Sequence, residues 1–555
     1  MKKRIVSISF ALLLVLSILL GACAPKPATL PGGVTQSAFK PMKVEAPNCD
    51  YGGEFKSIEA VDELTVKFTL CNPDPAFPSK VAFSAFAIQD MDFMDANQGD
   101  SVKMGDNANG TGPYILKEWK KGDSIIYEAN PNYWGTKAKA KNLVFRWSDQ
   151  SAQRFLELNS GTVDGIDNPA PEDIEKLKSD AKFTVYDRSP LNIFYIGFNN
   201  TLPPFDNEKV RQAFAIAIDR QRIVDQYYPK GSTVAQNFVP DLFNPGFSKD
   251  IKWMDYNKDE AKKLLEAAKF DFNQEIKLSF RNVVRGYLPS PDKVAQELQG
   301  QLAEIGVKVK LNQMESATFI DSSAAGKEAF YLLGWGADYP DSTNFFDYHF
   351  ANDNNKQFGT LFPDIVDPIK AAAKLFDAAA RQKLYDTVNE NLKVHVPMIP
   401  VAHGGSATVF KAAVKGAHSS PLSNELFSVM DNGTEQIVWM QNAEPAALWC
   451  ADETDGETLR GCEQLYESLL AYKVGGVEVE PGLAEKFTAN ADATEYVFNL
   501  RKGVAYHRGG TLNADDVVST YVAQWDAASP NHKGRTATFE YYGAFFGTFM
   551  NAPAK

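Results

Sequence analysis

Histidine and cysteine are scarce in this chain of 555 residues, which holds six of the first and five of the second. That scarcity leaves few candidates for His/Cys metal ligation or Cys/His nucleophile chemistry. No Cys-x-x-Cys or His-x-x-x-His pair offers zinc-ligand spacing. No His-Glu-x-x-His segment, Gly-x-Ser-x-Gly elbow or Cys/His dyad signature is present. Gly110-Thr111-Gly112-Pro113 is not followed by Gly-Lys-Ser/Thr, so it is no phosphate loop. The six histidines read as ordinary surface or core residues, and no cofactor or metal is expected. Positive charge is outweighed: a formal net charge of -13 speaks against a nucleic-acid partner. Short-period repeats are missing, and beyond the N-terminal segment no stretch is long and apolar enough to span a bilayer. What remains is ordinary globular composition, 44% hydrophobic and 23% charged, in a chain long enough for two or three domains.

The N-terminus is informative. Met1, Lys2, Lys3 and Arg4 form a basic start, apolar and small residues run from Ile5 to Leu20, and Leu20-Gly21-Ala22-Cys23 follows. This is the pattern of a secretory signal peptide over 1–22. Leu-Gly-Ala-Cys resembles the bacterial lipobox, in which Cys23 is acylated and becomes the first mature residue. An ordinary secretory signal with a chance cysteine is the competing reading. Both place the mature chain outside the cytoplasm, and the lipid would anchor it to the cell membrane without crossing it. Residues 23–47, rich in Pro, Ala, Lys and Gly, read as a flexible tether. Four cysteines remain, and an even number in an oxidising compartment suggests two disulfides with three possible connectivities. Cys450 and Cys462 are near in sequence, and Cys49 and Cys71 flank a segment that reads as two strands, so these two pairs are the expectation.

Hydrophobic periodicity gives an α/β chain with mixed sheets. Leu64, Val66, Phe68 and Leu70 alternate as a strand within 55–70. Residues 114–129 read as a hairpin turned at Lys121-Gly122-Asp123, and 207–228 as an amphipathic helix capped by Asp206 or Asn207. Glu275 to Arg281 is a strand, Asp292 to Ile305 a helix stopping at Gly306, and Val307 to Leu311 a strand. That is a βαβ unit with parallel strands. Another strand runs from Ala329 to Gly334, helical patterns cover 364–394, Tyr496 to Leu500 is a strand, and Asn513 caps a helix reaching about Trp525.

Seven blocks carry a resemblance. They are GTGPYILKEWKKGDSIIYEANPNYWG (110–135), NEKVRQAFAIAIDRQRIV (207–224), YNKDEAKKLLEAAKF (256–270), GWGADYPDSTNFF (334–346), EQLYESLLAYKVGGVEVEPGLAEKF (463–487), YVFNLRKGVAYH (496–507) and LNADDVV (512–518). Together they resemble family 5 of the bacterial extracytoplasmic solute-binding proteins, which serve peptide and nickel ABC importers, and within it the dipeptide-binding branch. The resemblance implies a two-lobed periplasmic-binding-protein type II fold with an extra subdomain. The order differs from the family: the LYESLLAYK and LRKGVAYH blocks, N-terminal there, lie here after about Glu435. A circular permutation accounts for this, with the old termini fused near 414–436; an error joining two partial genes is the alternative. The permuted order implies an extra subdomain of 48–107 plus 471–555, a first lobe of 108–205 plus 402–470, and a second lobe of 206–401.

Ligands collect at the carboxyl ends of strands in open parallel sheets, and Arg285 and Asp338 both follow strands there. The resemblance gives Asp338, in Gly334-Trp335-Gly336-Ala337-Asp338, the role of binding a peptide's amine, and Arg285, a looser match in Val284-Arg285-Gly286-Tyr287, that of binding its carboxylate. Trp335, Gly336 and Tyr339 are the neighbouring site candidates, with Trp335 either lining the pocket or packing beneath it. Asp338 as a turn cap and Arg285 as a surface ion pair are the plainer readings, and Asp341 reads as a turn residue. The function implied is capture of short di- or oligopeptides by lobe closure, as a monomer that delivers them to an ABC permease with its ATPase subunits. The same fold binding an oligosaccharide or a nickel complex is the rival. A hydrolase using Asp338 and Asp341 is disfavoured, since two carboxylates three apart on one loop rarely face each other across a substrate.

Overall fold

The computed structural model describes residues 35–352 and 355–553. The signal peptide over 1–22 and Cys23 lie outside the described residues. Among the described residues no helix is long and apolar enough to cross a membrane.

The βαβ pattern builds the centre of a six-stranded mixed sheet. Glu275–Arg281 and Lys308–Met314 pair in parallel, from Glu275 opposite Lys308 to Arg281 opposite Met314. Helix Pro291–Glu304 makes the crossover and buries Val294, Ala295, Leu298 and Leu302. Gly306, at φ 89°, supplies the left-handed turn that ends this helix and starts the next strand. The full order is Thr233–Val234, Met398–His403, Asn192–Phe198, Phe330–Gly336, Glu275–Arg281, Lys308–Met314.

A seven-stranded sheet forms the other lobe, in the order Tyr114–Lys120, Ser124–Ala129, Asn142–Trp147, Gln436–Gln441, Gly165–Asp167, Ser406–Lys411, Phe183–Arg188. The chain passes between the two sheets at 189–191 and again at 404–405. These crossovers lie side by side. The Asn192 amide donates to Gly404 O at 2.7 Å and accepts from Gly404 N at 2.8 Å. Gly404 has no room for a side chain, because a Cβ there would sit 2.1 Å from Gly286 O. Two adjacent short crossovers between packed lobes are hinge geometry.

The third sheet is antiparallel, in the order Lys43–Glu45, Phe55–Asp62, Thr65–Leu70, Glu495–Leu500, Ala484–Ala489. Alternation in Thr65–Leu70 buries Val66, Phe68 and Leu70. Helix Ala514–Trp525 covers that face, opened by a capping box between Asn513 and Asp516. Phe68 and Tyr521 meet edge to face at 5.0 Å. Thr65–Leu70 pairs antiparallel with Glu495–Leu500, so the first hairpin and the last strands share one sheet. Disulfides join Cys49 to Cys71 and Cys450 to Cys462.

Two elements differ from the sequence reading. The helix over 207–228 is two helices, Glu208–Ala217 and Arg220–Tyr227, because Ile218 turns extended and Asp219 caps the second by accepting from Arg222 N. The helical patterns over 364–394 are the helices Pro363–Ala372 and Ala378–His395, the second capped by Asp377. Within the segment read as tether, Lys43–Glu45 adds an edge strand to Phe55–Asp62. Its backbone finds a free sheet edge, a pairing that composition does not encode.

Candidate functional site

The loop after strand Phe330–Gly336 is organised by Asn344, near the start of helix Thr343–Phe350. Its Oδ1 accepts from Asp338 N at 3.0 Å and from Trp335 Nε1 at 3.2 Å, while its Nδ2 donates to Asp338 Oδ2 at 3.0 Å. One amide thus fixes both residues of the Gly-Trp-x-x-Asp run. On the opposite side Tyr541 donates its hydroxyl to Asp338 Oδ1 at 3.0 Å. Burial pushes the Asp338 carboxyl up to about 6, against the hydrogen bonds from Asn344 and Tyr541. Asp338 keeps part of its surface open. It is a fixed acceptor with lone pairs to spare, suited to a cationic group.

Trp335 stacks on Tyr348 at 4.7 Å, so its ring packs on its own lobe. Gly336 is exposed, and a Cβ there would meet nothing within 4 Å. Tyr339 is 4% exposed, shares a hydrogen bond with Thr343 Oγ1, and packs edge-on against Phe545 at 4.7 Å. Its ring is a contact between the second lobe and the C-terminal segment. Asp341, read as a turn residue, accepts from Thr343 N at 3.0 Å and takes a bidentate pair from Arg381 at 3.0 and 2.7 Å. Burial alone would raise its carboxyl, but the Arg381 charge and hydrogen bonds hold it below the usual range.

Arg285 sits in a tight turn closed by Arg285 N to Leu288 O and Leu288 N to Arg285 O. The turn is seated on both the hinge and the Asp338 strand. Gly286 O lies against Gly404, and the Tyr287 ring covers Gly334, where a Cβ would come within 2.3 Å of it. Tyr228 donates to Tyr287 O at 2.6 Å. The Arg285 side chain is exposed, donates to Val284 O at 3.2 Å, and enters no ion pair among the described residues. Glu275–Arg281 and Phe330–Gly336 are parallel neighbours through Ser279 and Tyr331, so the Arg285 turn and the Asp338 loop leave the same end of the sheet.

At the hinge, four charges are sealed from water. Arg188 Nη2 meets Asp167 Oδ1 at 2.9 Å and Glu425 Oε1 at 2.7 Å; Arg460 reaches Asp167 Oδ2 at 2.9 Å and Glu425 Oε2 at 2.8 Å. Burial opposes ionisation of Glu425, yet the two guanidinium groups hold its carboxyl well below the usual range. Sequence reasoning did not find Asn344, Tyr541 or this quartet. Only Asn344 left a signal, its position inside the GWGADYPDSTNFF block. A cleft of about 530 Å³ lies elsewhere, lined by Asn199, Thr201, Gly326 and Lys356 at the other end of strand Asn192–Phe198. The Asn199 amide there is already bonded to Gly326 O and Lys356 O.

Two sheet-centred lobes joined by paired crossovers define a type II periplasmic binding protein. Residues 33–357 and 478–544 match the model for bacterial extracellular solute-binding proteins, family 5 Middle, and the chain belongs to that family. It is 30% identical over 372 residues to di/tripeptide-binding protein 1 of Pseudomonas aeruginosa, covering 66% of this chain and 68% of that protein. It is 29% identical over 384 residues to heme-binding protein A of Haemophilus influenzae, covering 67% and 69%. A dipeptide-binding protein from Pseudoalteromonas, solved in complex with Met-Leu, superposes with a TM-score of 0.57 at 27% identity, covering 66% of this chain and 74% of the other.

Proposed function

We propose that this protein captures short peptides outside the cytoplasm for an ABC importer, holding them between its lobes with Asp338 on the amine and Arg285 on the carboxylate. The observation that carries the reading is the pair of opposite charges on neighbouring strand ends: a carboxylate fixed by Asn344 and Tyr541, and an exposed guanidinium that enters no ion pair among the described residues. A zwitterion satisfies both at once. Peptide termini are common to all sequences, so such a site accepts many side chains. The di/tripeptide-binding relatives support the peptide, and the heme-binding relative makes heme the comparison ligand. In this reading Cys23 carries the lipid, and the protein hands its ligand as a monomer to a permease with ATPase subunits.

The same reading includes the permuted order and the three-part division. Supporting it are the pairing of Thr65–Leu70 with Glu495–Leu500 and the bond from Gln36 Nε2 to Thr511 O, each of which joins an early stretch of the chain to a late one. The loop between Ser406–Lys411 and Gln436–Gln441 is then the join of the ancestral termini. Mass spectrometry of ligand released from natively purified protein, followed by calorimetric titration with dipeptides, heme and a neutral oligosaccharide, tests the function. Di- or tripeptides bound with micromolar or better affinity are expected. Binding of heme or sugar alone overturns the assignment.

A further inference from the structure

We infer that Tyr541 is a positioning residue for Asp338, and that its placement is set by Asp452 in the turn closed by the Cys450–Cys462 disulfide. The ligand consequence rests on the reading of Asp338 as the anchor for a peptide amine; the geometry does not. Tyr541 stands on helix Glu540–Phe546 of the C-terminal segment, and Asp338 on the second lobe. The Tyr541 hydroxyl has two acceptors: Asp338 Oδ1 at 3.0 Å and Thr454 O at 3.4 Å. A charged carboxylate is the stronger of the two. When Asp338 is ionised the hydroxyl proton belongs to it, and when Asp338 is neutral Thr454 O keeps the phenol satisfied.

The helix carrying Tyr541 is held from behind. The Asp452 carboxylate accepts backbone N–H groups from Thr536, Ala537 and Phe539. Ala537 and Phe539 stand at φ 60° and 40°, which non-glycine residues adopt only when their surroundings impose it. Next to it Glu453 takes Arg535 through two bonds of 2.8 Å. Asp452 ends the short turn Cys450–Asp452, and the disulfide ties that turn to the end of helix Gly456–Cys462. A covalent link, an acidic clamp and one helix thus lead to the oxygen that faces Asp338.

The other groups facing Asp338 are Tyr348 of its own lobe and Tyr472, and those facing Tyr541 are Glu540 and Asp455. These are phenols and carboxylates, so none gives Asp338 a compensating cation. The Tyr541 hydrogen bond favours the charged form.

The test follows the Asp338 carboxyl by carbon NMR in selectively labelled protein, across the range from about pH 4 to about pH 9. Tyr541→Phe should raise its midpoint by about one pH unit, the shift expected from losing one hydrogen bond to a carboxylate. Asp452→Asn, or the paired change Cys450→Ser and Cys462→Ser, should raise it in the same direction. In calorimetry a dipeptide with a free amine should bind Tyr541→Phe about tenfold more weakly near pH ~5.5 and within about twofold near pH ~8. Its N-acetyl counterpart should show no such pH-dependent gap. An unchanged Asp338 midpoint in Tyr541→Phe overturns the positioning role. A parent midpoint in both Asp452→Asn and the Cys450→Ser, Cys462→Ser protein overturns the link to the disulfide. If the midpoint moves but free-amine and N-acetyl peptides respond alike, Asp338 is not the amine anchor and the functional reading falls instead.

Discussion

Asp338 and Arg285 differ in setting, and so should their variants. Asp338 is half-buried and hydrogen-bonded on both oxygens. Asp338→Asn keeps the shape and removes the charge, so it should cost a free-amine dipeptide about 2–5 kcal/mol in calorimetry, the loss typical of one partner of a desolvated charge pair. Arg285 is exposed. Arg285→Ala should cost about 1–3 kcal/mol for peptides with a free C-terminus, and little for amidated ones. Buried acids elsewhere set the pH dependence of stability. Glu54, Asp347 and Glu463 each keep one sealed oxygen that finds no donor among the described residues, and burial raises their carboxyls to about 8, 7 and 8. Each binds its proton more tightly folded than unfolded. Between about pH 5 and pH 8 the native state therefore holds more protons, and stability falls as pH rises through that window. Urea unfolding should give a higher midpoint at about pH 5.5 than at about pH 8. Glu425 acts in the opposite sense, since its carboxyl is depressed: its contribution is full above its unfolded pKa and is lost as pH falls below the usual carboxylate range.

At the scale of elements, the strand Phe330–Gly336 and the turn at Arg285 form one unit through Gly334. A methyl at 334 would come within 2.3 Å of the Tyr287 ring and 2.5 Å of Ile193 O. One neighbour is backbone in the paired strand, so it cannot swing aside. Gly334→Ala should destabilise by about 1–3 kcal/mol, read by urea unfolding, as overpacking does. It should also weaken peptide binding through displacement of the Arg285 turn, whereas alanine at exposed Gly336 meets no atom and should leave stability within about 0.5 kcal/mol. The elements show what local pattern decides. Strands and the βαβ crossover were legible because Val, Ile, Leu and Phe recur at period two or at helical spacing. The break at Ile218 was not, because the cap Asp219 sits inside a continuous amphipathic run.

Across the whole molecule, the hinge and the five-stranded sheet join distant parts of the chain. Glu425→Gln leaves two buried guanidinium groups short of a counter-charge, and should cost about 3–5 kcal/mol in unfolding free energy. Ending the chain after Val477 removes Ala484–Ala489, Glu495–Leu500 and helix Ala514–Trp525. Thr65–Leu70 would then become an open edge with its apolar face uncovered. Size-exclusion chromatography of that truncation should give aggregate in place of a monomeric peak. A soluble, cooperatively folding monomer would separate the C-terminal segment from the rest of the fold.

The sequence by itself determined the element types, the family resemblance and the loop that carries Asp338. It also narrowed the cysteines to the two pairs seen. Each depends on short windows: side-chain period, turn chemistry or a block of adjacent residues. Tertiary structure decided the rest. It put Tyr541 on Asp338, buried Tyr339 against Phe545, laid the Arg285 turn on the hinge glycine, and closed a ring of four charges from residues 167, 188, 425 and 460. Hydrogen bonds and ion pairs act over about 3 Å, so their partners depend on how whole lobes pack, and that distance bears no relation to separation along the chain.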